Sequence, residues 1–402
     1  MKVLHIVGGS NTNGAFKGAN ILHNALLNLK INSRLLNDTP PKENKEVINN
    51  QKLNIIYINN VFPKNLIKFF FVLFEKFLKS IYLKSPRSTF TLGLFGFDIT
   101  KLKEYKEADI IHIHWLNQGF INIKSISKIN KPIVWTMRDM WPFTGGSHYL
   151  MDFEEYEKGY LSKKIKDLKK KFYVPNIHFV AISNWLKKAA EKSDVLKDHK
   201  IKTIYNNINL DDFKLIKKSE AKSSLKIFTK KKILLFGAQN PQSKRKGWEI
   251  LTETLKKIDK SKFYLLIYGN FWSNKILDKI GIEYKSIGFI DDKQILNKIY
   301  CSADIFLALS LQEAFGKTWA EAMACNIPVI CFDNTSISEI IDHKVNGFIV
   351  DKEDPEKLIK GIEWLISKEN ILNRENIRKK IHQFNPKLIA DQYVELYNKI
   401  LS

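Results

Sequence analysis

The sequence predicts an α/β protein built from two doubly wound domains, and three observations carry that expectation. Short apolar runs alternate with helix-like stretches from end to end, the pattern of parallel βα units. The alternation pauses at the Asn- and Asp-rich stretch TIYNNINLDDFK near residue 210 and then begins a second series. A chain of 402 residues is also longer than one ordinary core accommodates.

In the first half the expected strands are KVLHIV, LNIIYI, DIIHIHW, PIVWTM and IHFVAIS. GANILHNALLNLK and SNWLKKAAEK read as helices, the second opened by Ser183 or Asn184 as its cap. The first residues, MKVLHIVGGS, read as a strand and a glycine turn rather than as a secretory leader. The second series is KILLFGA, FYLLIYG, YKSIGF, DIFLALS, PVICFD and GFIV. A last helix, KLIADQYVELYNKIL, carries an apolar stripe with no further strand to cover. These expectations give domains over 1–208 and 209–382, with 383–402 as the terminal helix.

Hydrophobic content of 44% and mixed charge belong to a globular chain. Cys301, Cys325 and Cys331 show no metal-type spacing and read as reduced core thiols of a cytoplasmic protein. The formal net charge of +23 suits an anionic small substrate or membrane face, or simply a lysine-rich solvated surface. No nucleic-acid module accompanies it, so no nucleic-acid partner is expected. FPKNLIKFFFVLFEKFLKSIYLKSPR, over residues 62–87, places Lys64, Lys68, Glu75 and Lys79 on one narrow helical face opposite a broad Phe-rich arc. A helix resting on a bilayer and a helix packed on the first sheet both fit this pattern.

Gly316-Lys317-Thr318 imitates a phosphate-binding P-loop, but that motif needs a glycine at the position held by Leu311. The stretch DIFLALS is instead a buried strand, and GKTWAEAMAC a helix with Asn326 as its left-handed cap. Ligands of such sheets lie beyond the strands' carboxyl ends, where helix N-termini expose amides suited to phosphate. Glu313 before this helix and Glu321 one turn inside it could each accept hydrogen bonds from sugar hydroxyls, or simply complement the helix dipole. The Lys244–Lys246 run offers cations beside the next helix start. Gly8, Gly9 and Gly14 form a turn open to an anion or sugar, without the dinucleotide spacing. His112 and His114 share one strand face without a convincing metal-ligand set. Arg138, Asp139 and His148 follow the next strand among Trp115, Trp135 and Trp141, whose rings suit either sugar stacking or a buried core.

Taken together these residues resemble retaining glycosyltransferases of family 4, with the GT-B fold of two Rossmann-like domains facing a cleft. The resemblance runs almost end to end. Its strongest element is the E-x7-E pair Glu313 and Glu321, and HIHWLNQGF with VWTMRDMWPFTGGSHY resembles the subgroup that builds bacterial surface polysaccharides. The resemblance implies transfer of a hexose-type unit from a nucleotide-diphosphate sugar to a glycan or lipid-linked oligosaccharide. No metal or bound cofactor is implied. Glu313 would hold donor-sugar hydroxyls and Glu321 the ribose. The backbone of Phe315, Gly316, Lys317 and Thr318 would meet sugar and diphosphate, Lys246 would pair with the diphosphate, and Ile287 and Phe289 would flank the base. Gly8 and Gly9 would close over the diphosphate, while His114, Trp115, Asp139 and His148 would face the acceptor.

Two departures stand out. Ala238 occupies the place of a family arginine, leaving Lys246, with Arg245 or Lys244, to supply charge. Arg138 replaces a family histidine; it cannot act as a base, but could stabilise the departing diphosphate. A peripheral place on the inner face of the plasma membrane is expected, since basic charge and the Phe-rich helix both suit anionic lipid. The competing functions are a GT-B nucleotide-sugar epimerase and a non-catalytic sugar-binding protein.

Overall fold

A computed structural model of the protein describes residues 1–11, 13–39, 54–57, 65–82, 89–116, 119–351, 353–368 and 374–402. The chain divides into two compact units, 1–207 together with 386–402, and 208–385. Each is built around one parallel sheet.

The first sheet has seven strands: β1 (Lys2–Val7), β2 (Asn32–Asn37), β3 (Ile55–Tyr57), β4 (Ile110–Trp115), β5 (Ile133–Met137), β6 (Ile177–Ala181) and β7 (Ile201–Thr203). Their spatial order is β3-β2-β1-β4-β5-β6-β7. The chain therefore winds outward from β1 in one direction and from β4 in the other, and the switch lies between them. Five of these strands are apolar runs in the sequence. β2 escapes that reading because Asn32 and Arg34 break its run, Arg34 reaching out to Glu107 at 2.8 Å. β7, only three residues long, immediately precedes the polar pause. The outer residues Leu53 and Ile58 of the run LNIIYI lie outside the described residues.

Helix α1 (Gly14–Asn28) follows β1, and the Asn13 side chain caps it by accepting from the Ala15 and Phe16 amides. A second helix, α2 (Asn65–Tyr82), falls on the Phe-rich segment, and Tyr160–Phe172 forms α3. Helix α4 (Asn184–Glu191) has Ser183 as its cap, accepting from the Leu186 amide. The terminal helix, Pro386–Leu401, packs on the first sheet, with Ile389, Tyr393, Leu396 and Tyr397 among Val3, Leu22, Leu26, Ile110 and Val134. Its apolar stripe thus finds its cover in the first unit.

The second sheet runs β10-β9-β8-β11-β12-β13, comprising β8 (Lys232–Gly237), β9 (Phe263–Tyr268), β10 (Tyr284–Ser286), β11 (Ile305–Ala308), β12 (Val329–Phe332) and β13 (Gly347–Val350). All six lie within runs expected from the sequence; β9, β11 and β12 are buried throughout and so lose the polar alternation that blurs short strands, while β10 is half-buried. Here the switch lies between β8 and β11. Helices α5 (Trp248–Lys257), α6 (Lys293–Ser302) and α7 (Lys317–Ala324) bear on the site. Asn326 takes φ +60° after α7, the left-handed cap that an Asn tolerates. Cys301, Cys325 and Cys331 are buried and unbridged.

Helix α2 departs from the face assignment in the sequence. Glu75 is not on the solvent face; it is 9% exposed and accepts the Gly93 amide at 3.1 Å. Burial raises its carboxyl to about 7. Phe70, Leu73, Phe74 and Phe77, at 46–59% exposure, lie on the opposite side. Phe71 stacks on Phe95 with ring centres 5.2 Å apart. The helix turns its carboxylate inward because the 92–93 loop offers backbone donors there. Lys64 lies outside the described residues. Among the described residues no helix is long and apolar enough to cross a membrane.

Candidate functional site

In doubly wound sheets the strand-to-helix loops part at the switch point, leaving a crevice beyond the carboxyl ends. In each unit the residues singled out by sequence gather there.

In the second unit the loop after β11 carries Ser310 and Glu313, and the turn after β8 carries Arg245 and Lys246. Glu313 is 8% exposed. Its Oε2 pairs with Lys246 Nζ and lies 3.7 Å from Arg245 Nη1. Arg245 also donates to the Gln312 carbonyl at 2.8 Å, and the Leu311 amide donates to the Arg245 carbonyl at 2.8 Å. The two loops are thereby interlocked. Gly247, at φ +78°, permits this approach: a Cβ there would lie 2.1 Å from the Leu309 carbonyl oxygen. A narrow, open pocket is lined by Ala238, Lys246, Ser310, Glu313, Gly316 and Thr318, among others. Two cations thus stand beside the pocket whose wall includes Ala238.

Gly316 begins α7 at φ +76°, and a Cβ there would press on Glu313 Cγ at 2.8 Å and Trp319 Cδ1 at 3.0 Å. No side chain caps this helix start, while Lys317 and Thr318 are partly exposed. The Phe315 ring is buried between Trp319 and Phe384, and its carbonyl receives Trp319 Nε1–H. Glu321 is partly exposed, and its Oε2 accepts from the Tyr300 hydroxyl at 2.7 Å. Tyr300 in turn meets the Tyr268 hydroxyl at 2.6 Å. Burial, with Glu321 nearby, pushes both phenols up, so they remain donors at neutral pH. Since a carboxylate can only accept, the chain is directed Tyr268 to Tyr300 to Glu321. Ile287 and Phe289 follow β10 and are partly exposed, Phe289 at 44%.

In the first unit the Gly8 amide donates to the Trp115 carbonyl, and the Gly9 amide to Asp38 Oδ1, each at 2.8 Å. Gly9 takes φ +87° with the Trp115 ring and Asn13 close against it. His148 Nδ1 pairs with Asp139 Oδ2 at 2.6 Å, and the Trp115 and His148 ring centres are 5.7 Å apart. The loop carrying them is firmly held. Lys169 donates to the Trp141 and Thr144 carbonyls and sits 3.7 Å over the Trp141 ring. Glu157 accepts from the Gly145 amide and the Ser147 hydroxyl. Burial opposes its ionised form, but those donors and Lys166 hold its carboxyl below the usual range. Trp135 and Trp141 are 1% and 2% exposed, so their rings are core and not stacking surfaces.

Strand register assembles a cluster that sequence could not. On β1, β4 and β5 the face beneath α1 and the terminal helix begins with Val3, Ile110 and Val134. Toward the carboxyl ends the same face turns polar, with His5, His112, His114, Thr136 and finally Arg138. His112 and His114 stack at 4.1 Å, and His5 lies 4.8 Å from His112. Their nitrogens lie within 4.8 Å of one another, the spacing of a metal site. Those lone pairs are engaged, however. His112 bonds Tyr397 at 2.6 Å and Thr136 at 2.8 Å, and His5 Nδ1 bonds His114 Nε2 at 2.9 Å. Arg138 adds a guanidinium 3.0 Å from His114 Nδ1. The cluster is therefore a hydrogen-bond network. Burial, with Arg138 beside them, holds all three imidazoles well below the ordinary value. Arg138 also donates to Asn206 Oδ1 at 2.7 Å and lies against Gly18, where a Cβ would come within 2.6 Å of Nη1. His5, Gly18, Asn206 and Tyr300 were not evident as site residues. Only register and packing bring them there.

Residues 71–212 match the family model described as Glycosyltransferase Family 4, and residues 217–384 the model described as Glycosyl transferases group 1. An uncharacterized 41.2 kDa protein in the cps region of Klebsiella pneumoniae is 25% identical over 294 residues, 70% of this chain and 76% of that protein. The capsular polysaccharide biosynthesis glycosyltransferase CapM of Staphylococcus aureus is 28% identical over 55% of this chain and 61% of its own. A glycosyltransferase of Rickettsia africae superposes with TM-score 0.69 at 18% identity, covering 100% of this chain and 98% of that one. Anabaena HepE, solved in complex with UDP and glucose, gives 0.67 at 16% identity over 99% and 100%. Each half of the chain thus matches a glycosyltransferase family model, and the fold is the GT-B fold common to these glycosyltransferase structures.

Proposed function

We propose that the protein is a retaining glycosyltransferase of bacterial surface polysaccharide synthesis. It moves a hexose from a nucleotide-diphosphate sugar to a hydroxyl of a glycan or lipid-linked oligosaccharide. The carrying observation is the second-unit pocket, where Glu313 is backed by Lys246 and Arg245 beside the uncapped start of α7. Glu313 accepts from the donor sugar's hydroxyls and Glu321 from the ribose. In the donor complex Lys246, relieved of part of its pairing with Glu313, meets the diphosphate with the α7 amides. Arg245 supplies the second cation in the setting where Ala238 offers none. Arg138 stabilises the departing phosphate, and its permanent charge leaves the leaving-group oxygen to take the acceptor's proton. No metal and no covalent enzyme intermediate take part in this scheme. That Anabaena HepE was solved with UDP and glucose supports a uridine nucleotide as the first donor base to test.

The outward Phe70, Leu73, Phe74 and Phe77 support a peripheral place on the cytoplasmic membrane face, since the segment 64–87 carries five Lys and one Arg against one Glu. Replacing these four residues by Ser should release the protein from anionic vesicles; undiminished binding would refute that role. The test of the reaction is a panel of nucleotide sugars scored by thermal stabilisation, followed by transfer assays of Glu313→Gln. A true donor raises the melting temperature with concentration, and folded Glu313→Gln should lose transfer by at least a hundredfold. Near-normal transfer by that variant would sink the assignment, and isomerised donor without any acceptor would replace transfer by epimerisation.

A further inference from the structure

Which hydrogen-bond partner carries each proton around Arg138 follows from chemistry alone. A guanidinium only donates, so His114 Nδ1, 3.0 Å from Arg138 Nη2, is the acceptor and carries no proton. The proton of His114 then sits on Nε2, which lies 2.9 Å from His5 Nδ1. That contact requires His5 Nδ1 to accept in its turn, placing the proton of His5 on Nε2. An imidazolium at either position would set two N–H groups head to head. Both rings are therefore neutral and of one tautomer, and the order is dictated from the Arg138 end.

The far end of this chain is left unsatisfied. Among the described residues neither His5 Nε2 nor Arg138 Nε has a partner, although both atoms are buried. A core selected only for stability would replace such groups by apolar ones, and unsatisfied buried donors in a native structure call for another explanation. Arg138 otherwise has two fixed points, His114 on Nη2 and Asn206 on Nη1. Gly18 leaves the space into which the guanidinium fits. Four side-chain torsions separate that group from β5, so without both clamps it would sample many positions.

We propose that His5 and His114 are positioning residues, forming a one-directional relay that holds the Arg138 guanidinium, with Asn206 as the second clamp. His5 acts at one remove, by fixing the tautomer of His114. The role of Arg138 in transfer rests on the proposed function; the relay itself does not.

The test begins with the intact protein labelled with ¹⁵N at histidine and arginine. His5 and His114 should each show an acceptor-type Nδ1 and a protonated Nε2 at pH 7.5, and the Arg138 Nη groups should rotate slowly. A protonated Nδ1 on His114, or an imidazolium on either ring, would overturn the relay. His114→Leu should free the Arg138 rotation, while His114→Asn, whose Oδ1 falls near the lost Nδ1, should keep it slow. In transfer assays the expectation is at least a tenfold fall in kcat for His114→Leu, donor KM within twofold, and recovery within threefold in His114→Asn. An unchanged kcat with free rotation would overturn the positioning role. If no transfer to any acceptor is found, the proposed function fails, yet tautomers and rotation still decide the relay. Those wild-type spectra also suffice should His114→Leu not fold.

Discussion

Removing one hydroxyl from Tyr300 tests the architecture of the donor unit most directly. Tyr300→Phe deletes the 2.7 Å bond to Glu321 and the 2.6 Å bond to Tyr268 together. A hydrogen bond to a charged group contributes about 1.5–3 kcal/mol, and a buried hydroxyl left without its partner costs about 1–3 kcal/mol. Glu321 retains access to water, which lowers its share, so the expected loss is about 2–4 kcal/mol. For a unit of this size, about 2–4 °C per kcal/mol puts the melting transition roughly 10 °C lower. Tyr268→Phe is the control. It removes one neutral bond, about 1 kcal/mol, and leaves Tyr300 on Glu321. Glu321 loses its anchor in the first variant and not in the second, so nucleotide affinity should fall only in Tyr300→Phe. Differential scanning calorimetry and nucleotide titration read both effects. Equal stabilities for the two variants, or unchanged nucleotide affinity in Tyr300→Phe, would refute the directed chain.

Three further outcomes are expected. Glu75→Gln should raise stability at pH 8 by about 1–3 kcal/mol. Its carboxyl, raised to about 7 from 4.5, contributes stability below pH 4.5 that is lost as pH rises through 7, and Gln keeps the Gly93 bond without that loss. In this background, lowering the pH from 7.5 to 5.5 should cost about 2–4 kcal/mol in urea unfolding. His5, His112 and His114 have folded pKa values below 6.5, so the unfolded chain binds the protons and stability falls only beneath 6.5; a flat profile would contradict their neutrality. Gly18→Ala should lower stability, because the strain on a buried, hydrogen-bonded guanidinium outweighs the roughly 1 kcal/mol by which Ala favours a helix interior. The same Cβ would displace Arg138 and lower transfer, and full activity would refute the contact.

Sequence alone determined the two-unit α/β plan, because parallel strands buried on both faces are written as unbroken apolar runs. All six strands of the second sheet and the caps at Ser183 and Asn326 were legible for local reasons. Glu313, Glu321 and the Lys244–Lys246 run were legible too, since each lies within one loop or one helical turn of the feature it serves. The tertiary structure decided what depends on register and on facing. β2 was hidden by Asn32 and Arg34, the second of which pairs with Glu107, a partner the sequence does not reveal. The inward turn of Glu75 depends on two backbone amides distant in the chain. Arg138 was conspicuous in sequence, but its clamps were not: His5, Gly18, His114 and Asn206 come from four separate segments. The alignment of β1, β4 and β5 brings His5, His114 and Arg138 to one end of one face, while α1 and the segment after β7 bring up Gly18 and Asn206, and hydrogen-bond direction is fixed only when donors and acceptors actually meet.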